Sequence, residues 1–237
     1  VRSENVLDDS PRSQASLPRN TEIDHAMKRV LFLCALAGAA FSGLAADSRT
    51  PIALFDGRTF AGWDGDTNQT WRIRDGMIVG GSLTQTVPRN EFLATTRRFT
   101  NFVLRVTFKL LGTEGFVNSG IQVRSERATD PPNEMIGYQC DIGEGWWGAL
   151  YDESRRNQVL VRPPDPAVQQ AVKPGDWNTY TIRCEGQRIR SFLNDQPMID
   201  YVEQDSSLPQ HGRIGLQVHG GGKAELWVKS VTVEELP

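Results

Sequence analysis

The chain has 237 residues and a formal net charge of -3, with acidic and basic side chains mixed along its length. That length suits one sizeable domain or two small ones, and an apolar fraction of 38%, with 6 Trp and 10 Phe, is enough for a hydrophobic core. No basic block or aromatic–basic pattern points to nucleic acid, and so small a charge would steer a polyanion only weakly.

Residues 1–26 are polar, rich in Ser, Asn, Asp and Arg, and without periodicity. The run from Met27 then reads MKRVLFLCALAGAAFSGLAA, a basic start, a short apolar stretch and small residues at Gly43, Ala45 and Ala46. That is the pattern of a secretory signal peptide over residues 27–46. Signals are N-terminal, so Met27 reads as the start of the protein and residues 1–26 as an extension. About 17 weakly apolar residues fall short of the roughly 20 a membrane span requires, so export to the periplasm or exterior is expected rather than a stable span. Cys34 lies too early in the apolar run to be a lipid-attachment site. Beyond the signal, only Cys140 and Cys184 remain. An oxidising compartment would permit a bond between them, but each sits at an inward position of a strand-like run, so two buried free thiols are expected. Two cysteines cannot build a four-cysteine metal site.

From residue 50 onward no helical period of useful length appears; short alternating runs are separated by turn residues. Trp71–Val79 reads as a hairpin around Asp75-Gly76. Asn101–Leu110 is a long strand with Phe102, Leu104, Val106, Phe108 and Leu110 facing inward. Gly120–Arg124 and Tyr138–Ile142 follow. The segment Tyr151–Trp177 contains Pro163, Pro164, Pro166 and Pro174 and reads as an ordered excursion over one edge. Asn178–Glu185, Arg188–Leu193, Arg213–His219 and Ala224–Glu234 complete the series. At least eight strands in one all-β domain over residues 50–237 imply a jelly-roll sandwich of two antiparallel sheets. The last strand should lie beside the first, because Phe55 and Trp63 need a surface that Leu226, Val228 and Val231 can supply.

Strand parity points to the site. Ile121 and Val123 face inward, which turns Gln122 and Arg124 to the other face. Tyr138, Cys140 and Ile142 do the same for Gln139 and Asp141, and Leu216 and Val218 for Gln217 and His219. Three strands thus offer amides, a guanidinium, a carboxyl and an imidazole to one outer face, if they are neighbours. Antiparallel sheets often show polar residues to water, but Gly120, Gly137, Gly143, Gly145, Gly215 and Gly220 around these pairs remove bulk and would let a ligand approach. Glu144, Trp146, Trp147 and Tyr151 lie just beyond, with rings suited to stacking on a small saccharide; one of the two Trp is expected to cap the core instead. Trp63, Trp71 and Trp177 read as structural, Trp177 as core at a strand entrance, and His211 as a surface turn residue. His219 and Asp141 are the candidate acid and base, with Glu144 and Asp152 as loop alternatives. Asp141, Glu144 and Asp152 could together supply oxygen ligands to calcium or another divalent cation, although no calcium loop is legible and the sequence fixes no cofactor. The polar strands offer a single carboxylate, which argues against a conventional glycosidase.

The stretches LFDGRTFAGW (54–63), NSGIQVR (118–124), GYQCDI (137–142), GDWN (175–178) and GRIGLQVH (212–219) together resemble the 3-keto-disaccharide hydrolase family, over about residues 51–236. The resemblance implies a concanavalin-like, laminarinase-like sandwich that cleaves glycosides oxidised at C3. A C3 ketone acidifies the C2 proton, so a base can remove it and expel the C1 leaving group. On that chemistry Asp141 or His219 would be the base, Arg124 and Gln122 would face the developing oxyanion, and Gln139 and Gln217 would hold sugar hydroxyls. The family commonly places Glu then Gln where this chain has Gln139 and Asp141, and Phe-Arg-Asn-Ile where it has Trp227-Val-Lys-Ser230. A non-catalytic carbohydrate-binding sandwich would use the same groove, amides and aromatics without a poised acid or base.

Overall fold

A computed structural model describes residues 50–237; the extension and signal-peptide expectations lie outside these residues. The described chain runs through β1 (Ile52–Ala53), β2 (Trp63–Asp64), β3 (Trp71–Arg74), β4 (Met77–Gly81), β5 (Glu91–Thr95), β6 (Phe102–Gly115), β7 (Asn118–Arg127) and β8 (Met135–Gly143). It continues through β9 (Leu150–Glu153), β10 (Gln158–Val161), α1 (Asp165–Ala171), β11 (Asn178–Glu185), β12 (Arg188–Leu193), β13 (Gln196–Val202), β14 (Arg213–Val218) and β15 (Gly222–Glu235). Every strand pairing is antiparallel within two sheets, the jelly-roll sandwich that the alternation predicts. One sheet has the order β13-β12-β11-β6-β15-β4-β3 with β1 also on β15; the other has β10-β9-β8-β7-β14-β5-β2.

Alternation builds the interior. Phe102, Leu104, Val106, Phe108 and Leu110 of β6 meet Ile121 and Val123 of β7, Tyr138, Cys140 and Ile142 of β8, and Leu216 and Val218 of β14 in one buried cluster. Burying each such side chain is worth roughly 1.5–3 kcal/mol. Asp75 and Gly76 take left-handed φ values of 51° and 73°, as a two-residue hairpin turn between β3 and β4 requires. The last strand does lie on the first, with Ile52 opposite Val233. Cys140 and Cys184 are buried free thiols, and burial pushes the Cys184 thiol up to about 12.

Two expectations change. The excursion after Tyr151 is partly regular: β9 and β10 extend the second sheet and α1 follows, a seven-residue helix too short to show a period. Trp177 is only half-buried; it lies under the Lys109 and Lys229 ammonium groups rather than in the core. Among the described residues no helix is long and apolar enough to cross a membrane.

Candidate active site

The strands that carry the polar pairs are neighbours, in the order β8-β7-β14. Register sets their side chains in two rows on the face turned away from the core. In one, Gly120 has Asp141 on one side and Gln217 on the other; in the next, Gln122 sits between Gln139 and Gly215, and Gln139 is opposite Tyr151. Gly120 and Gly215 do not leave this face open. A Cβ on Gly120 would stand 2.4 Å from Gln139 Cδ, and one on Gly215 would stand 2.8 Å from Met135 Sδ. Their missing bulk is filled by neighbouring side chains, which corrects the expectation that it admits a ligand.

The amides form a directed chain. Ser125 Oγ donates to Gln122 Oε1 (2.5 Å), Gln122 Nε2 to Gln139 Oε1 (3.0 Å), and Gln139 Nε2 to both Asp141 Oδ1 (2.9 Å) and Glu153 Oε2 (3.4 Å). Gln217 Nε2 also donates to Glu153 Oε2, at 3.2 Å. Both carboxyl groups are therefore one hydrogen bond from the same amide nitrogen. Gln122, Gln139, Asp141 and Gln217 are all at most 2% exposed. Asp141 Oδ2 and Gln217 Oε1 are buried with no partner among the described residues, a costly state unless something else uses it.

Burial pushes the Asp141 carboxyl up to about 8, reinforced by the nearby Glu153 charge and opposed by the Gln139 amide. Burial, then the Glu134 charge, pushes Glu153 up to about 7, against the Gln217 hydrogen bond. Because Oδ1 of Asp141 accepts from Gln139, a proton on this carboxyl sits on Oδ2. A neutral Asp141 is thus a hydrogen-bond donor without a protein acceptor.

Gln139, Asp141 and Glu153 floor a cavity of about 110 Å³, with Asn118, His219, Phe116, Trp146 and Tyr151 around it, whereas Gln122 and Gln217 are buried behind its lining. His219 Nδ1 lies 2.7 Å from the Gly220 carbonyl. A carbonyl only accepts, so in the neutral ring Nδ1 carries the proton and Nε2 keeps its lone pair. Phe116 meets the imidazole edge-on at 4.6 Å, and Trp146 stands edge-on to both Phe116 and Tyr151. The Arg162 guanidinium lies over the Trp146 ring at 5.0 Å. From the core, Tyr180 Oη donates to the Asp141 carbonyl (2.7 Å) and accepts from Gly148 N–H (3.0 Å). The backbone of the buried acid and the turn bearing Trp146 are so tied to the opposite sheet.

The remaining expected residues lie elsewhere. Arg124 is the main correction. The register of β7 shifts between Val123 and Glu126, and Arg124 takes φ 49° there, so strict alternation fails. Its guanidinium donates to the Thr100 carbonyl (3.0 and 2.7 Å), Gln210 Oε1 (2.7 Å) and the Gly186 carbonyl instead of facing the cavity. Trp147 is the Trp that caps the core, stacked on Phe108, and Glu144 is exposed beside a different cavity. Asp152 is no loop residue: it is fully buried in β9 and paired with Arg155 and Arg156. Asp141, Glu144 and Asp152 consequently do not converge as cation ligands, and among the described residues no cluster of three acidic, His or Cys side chains does.

Sequence reasoning overlooked Glu153, Asn118 and Phe116. Parity held the signal for two of them: Asn118 shares its face with Gly120 and Gln122, and Glu153 shares its face with Tyr151. Glu153 gives the face a second carboxyl, correcting the count of one.

The sequence matches the 3-keto-alpha-glucoside-1,2-lyase-like domain family over residues 50–234. The chain belongs to this family. It is 26% identical to a 3-keto-disaccharide hydrolase of Bacteroides thetaiotaomicron, over 81% of each chain. In fold it is similar to a crystal structure from Parabacteroides distasonis described as a candidate glycosyl hydrolase (TM-score 0.56, 21% identity, covering 79% of this chain and 100% of that one). It is similar as well to the carbohydrate-binding module CBM66 of Bacillus subtilis (TM-score 0.55, 17% identity, 73% and 96%). For this member of the lyase-like family, the shared concanavalin-like sandwich carries its polar groups on β7, β8, β9 and β14.

Proposed function

We propose that the protein is an exported enzyme that cleaves 3-keto-glycosides, 3-keto-disaccharides among them, by elimination followed by hydration. The observation that carries this reading is the Asp141 carboxyl, buried and held neutral below about pH 8, with its unpartnered Oδ2 at the floor of a polar cavity. Family membership and the 3-keto-disaccharide hydrolase relative supply the substrate class.

His219 Nε2 takes the proton from C2 of the keto sugar, and the C2–H electrons move toward the C3 oxygen. The amide of Asn118, on the cavity wall, donates to that developing oxyanion in place of Arg124. The enolate then collapses: a C1–C2 double bond forms, the C1–O bond breaks, and Asp141 Oδ2 gives its proton to the departing oxygen. Water adds to C1 of the enone while a proton returns to C2, so the net change is hydrolysis. Glu153, titrating near 7, is suited to accept the proton of that water. Gln139 and Gln217 hold the two carboxyl groups in place, and Gln139, which lines the cavity, can turn toward a sugar hydroxyl.

The assay is purified protein with a 3-keto-disaccharide and, separately, the unoxidised sugar. We expect 3-keto-glucose from the first and no cleavage of the second. The Asp141–Glu153 pair also meets the bare requirement of a conventional glycosidase, two carboxyl groups at one site; equal turnover of both sugars would establish that second reading and overturn elimination. Binding without turnover, unaffected by Asp141→Asn, would instead mark a binding module.

A further inference from the structure

Phe116 lines two cavities. On one side is the polar site of about 110 Å³, well below the roughly 300–1,000 Å³ of pockets that enclose drug-sized ligands. On the other is a cavity of about 510 Å³ whose walls include Leu110, Val117, Trp147 and Pro174, with Thr113 and Glu144. The polar cavity carries the amide, carboxyl and imidazole groups; the larger one supplies an indole and aliphatic side chains beside a comparable amount of polar surface.

The dividing ring is firmly placed. Phe116 sits in the turn from β6 to β7, and its N–H donates to the Gly221 carbonyl at 3.1 Å. A Cβ on Gly222 would stand only 2.2 Å from the Phe116 carbonyl oxygen, so this close approach requires glycine. The ring itself stays 39% exposed, unusual for a large apolar side chain, while packing edge-on to His219 and Trp146.

We propose that the larger cavity is the subsite for the leaving group, and that it selects leaving groups with an apolar ring face. This rests on the glycoside-cleaving reading above. A glycoside has two parts joined at one oxygen. The keto sugar occupies the polar cavity, the scissile oxygen lies beside Phe116, and the leaving group lies across it on Leu110, Val117 and Trp147. A pyranose and a phenyl ring share the required flat, apolar face, and aromatic side chains stack on either. Methanol has no such face. The subsite therefore contributes to kcat/KM only for ring-bearing leaving groups.

The test compares methyl, phenyl and glucosyl 3-keto-glucosides with the wild type and with Thr113→Arg. Thr113 is exposed at the end of β6, so the substitution is expected to fold; its side chain would fill the cavity mouth. For the wild type, kcat/KM for phenyl and glucosyl substrates should exceed that for methyl by tenfold or more. In Thr113→Arg that preference should shrink at least tenfold, with the thermal midpoint within a few degrees of wild type. Selective loss on phenyl alone would identify an aryl-specific subsite, and equal loss on phenyl and glucosyl a general ring site; either supports the proposal. An unchanged preference, or equal loss on all three, would overturn it. Should no keto-glucoside be cleaved, the catalytic reading fails and the subsite is judged by calorimetry with phenyl glucoside. Binding weakened by Thr113→Arg supports the subsite, and no binding or no change refutes it.

Discussion

In the proposed mechanism Asp141 couples activity to stability. Its carboxyl ionises near 3.8 when free and at about 8 in the fold. Between those values the folded chain keeps a proton that the unfolded chain has lost, so stability falls as pH rises through this window and levels off above it. Glu153 acts in the same direction, from 4.5 to about 7. Asp141→Asn replaces a neutral carboxyl with a neutral amide of the same shape and removes the larger contribution. Thermal melts should show wild type losing stability between pH 7 and 8 more steeply than the variant, which keeps only the tail of the Glu153 titration there. An identical slope in both would exclude a high-pKa acid at this position. In the keto-glycoside assay the same variant should lose roughly 10²–10⁴-fold in kcat, the usual contribution of a general acid.

The element that makes the site is β7. Gly120 stands between Asp141 and Gln217, and the Gln139 side chain lies across it. Gly120→Ala forces that side chain off its hydrogen bonds to Asp141 and Glu153. Overpacking of this kind costs typically 1–3 kcal/mol; beyond that loss, which denaturant melts would measure, the variant should fall at least tenfold in kcat while still folding. Retained activity would mean that Gln139 does not position the carboxyl groups. β7 also marks where sequence reading stops. Its first residues alternate strictly, which made the face of Gln122 legible and would have revealed Asn118. Two residues past Gln122 the bulge at Arg124 breaks the period, and nothing in NSGIQVRSER announces it. Glu153 was missed for a different reason. A four-residue strand before a proline-rich stretch has too few alternations to register, although Tyr151 and Glu153 flank an inward Asp152. The Asp75-Gly76 turn and the inward-facing half of β6, by contrast, carry their own local signals and were legible, although β6 runs on from Leu110 to Gly115 beyond the expected strand.

Across the whole molecule, the core and the site are the two faces of a single sheet. Ile121, Cys140 and Leu216 pack inward on the same strands that hold Gln122, Asp141 and Gln217 outward. That is why period-two reading reached the core and most of the outward polar rows at once, while strand order and loop placement had to come from the three-dimensional fold. This sandwich leaves the floor of the candidate site on regular strands and assigns Phe116, Trp146 and His219 at the rim to turns and strand ends.

One phenol oxygen crosses that layered arrangement from the far side. Tyr180 belongs to the sheet that carries no candidate catalytic group, yet its hydroxyl grips the Asp141 carbonyl and the Gly148 amide. Phenylalanine there would fill the same space and unfasten both, so Tyr180→Phe should slow turnover several-fold, with substrate affinity and secondary structure kept; a rate equal to wild type would show the fastening to be idle. Under the proposed reaction, remote substitutions on the back wall would thereby become a dial on turnover, acting through the interior without ever meeting sugar.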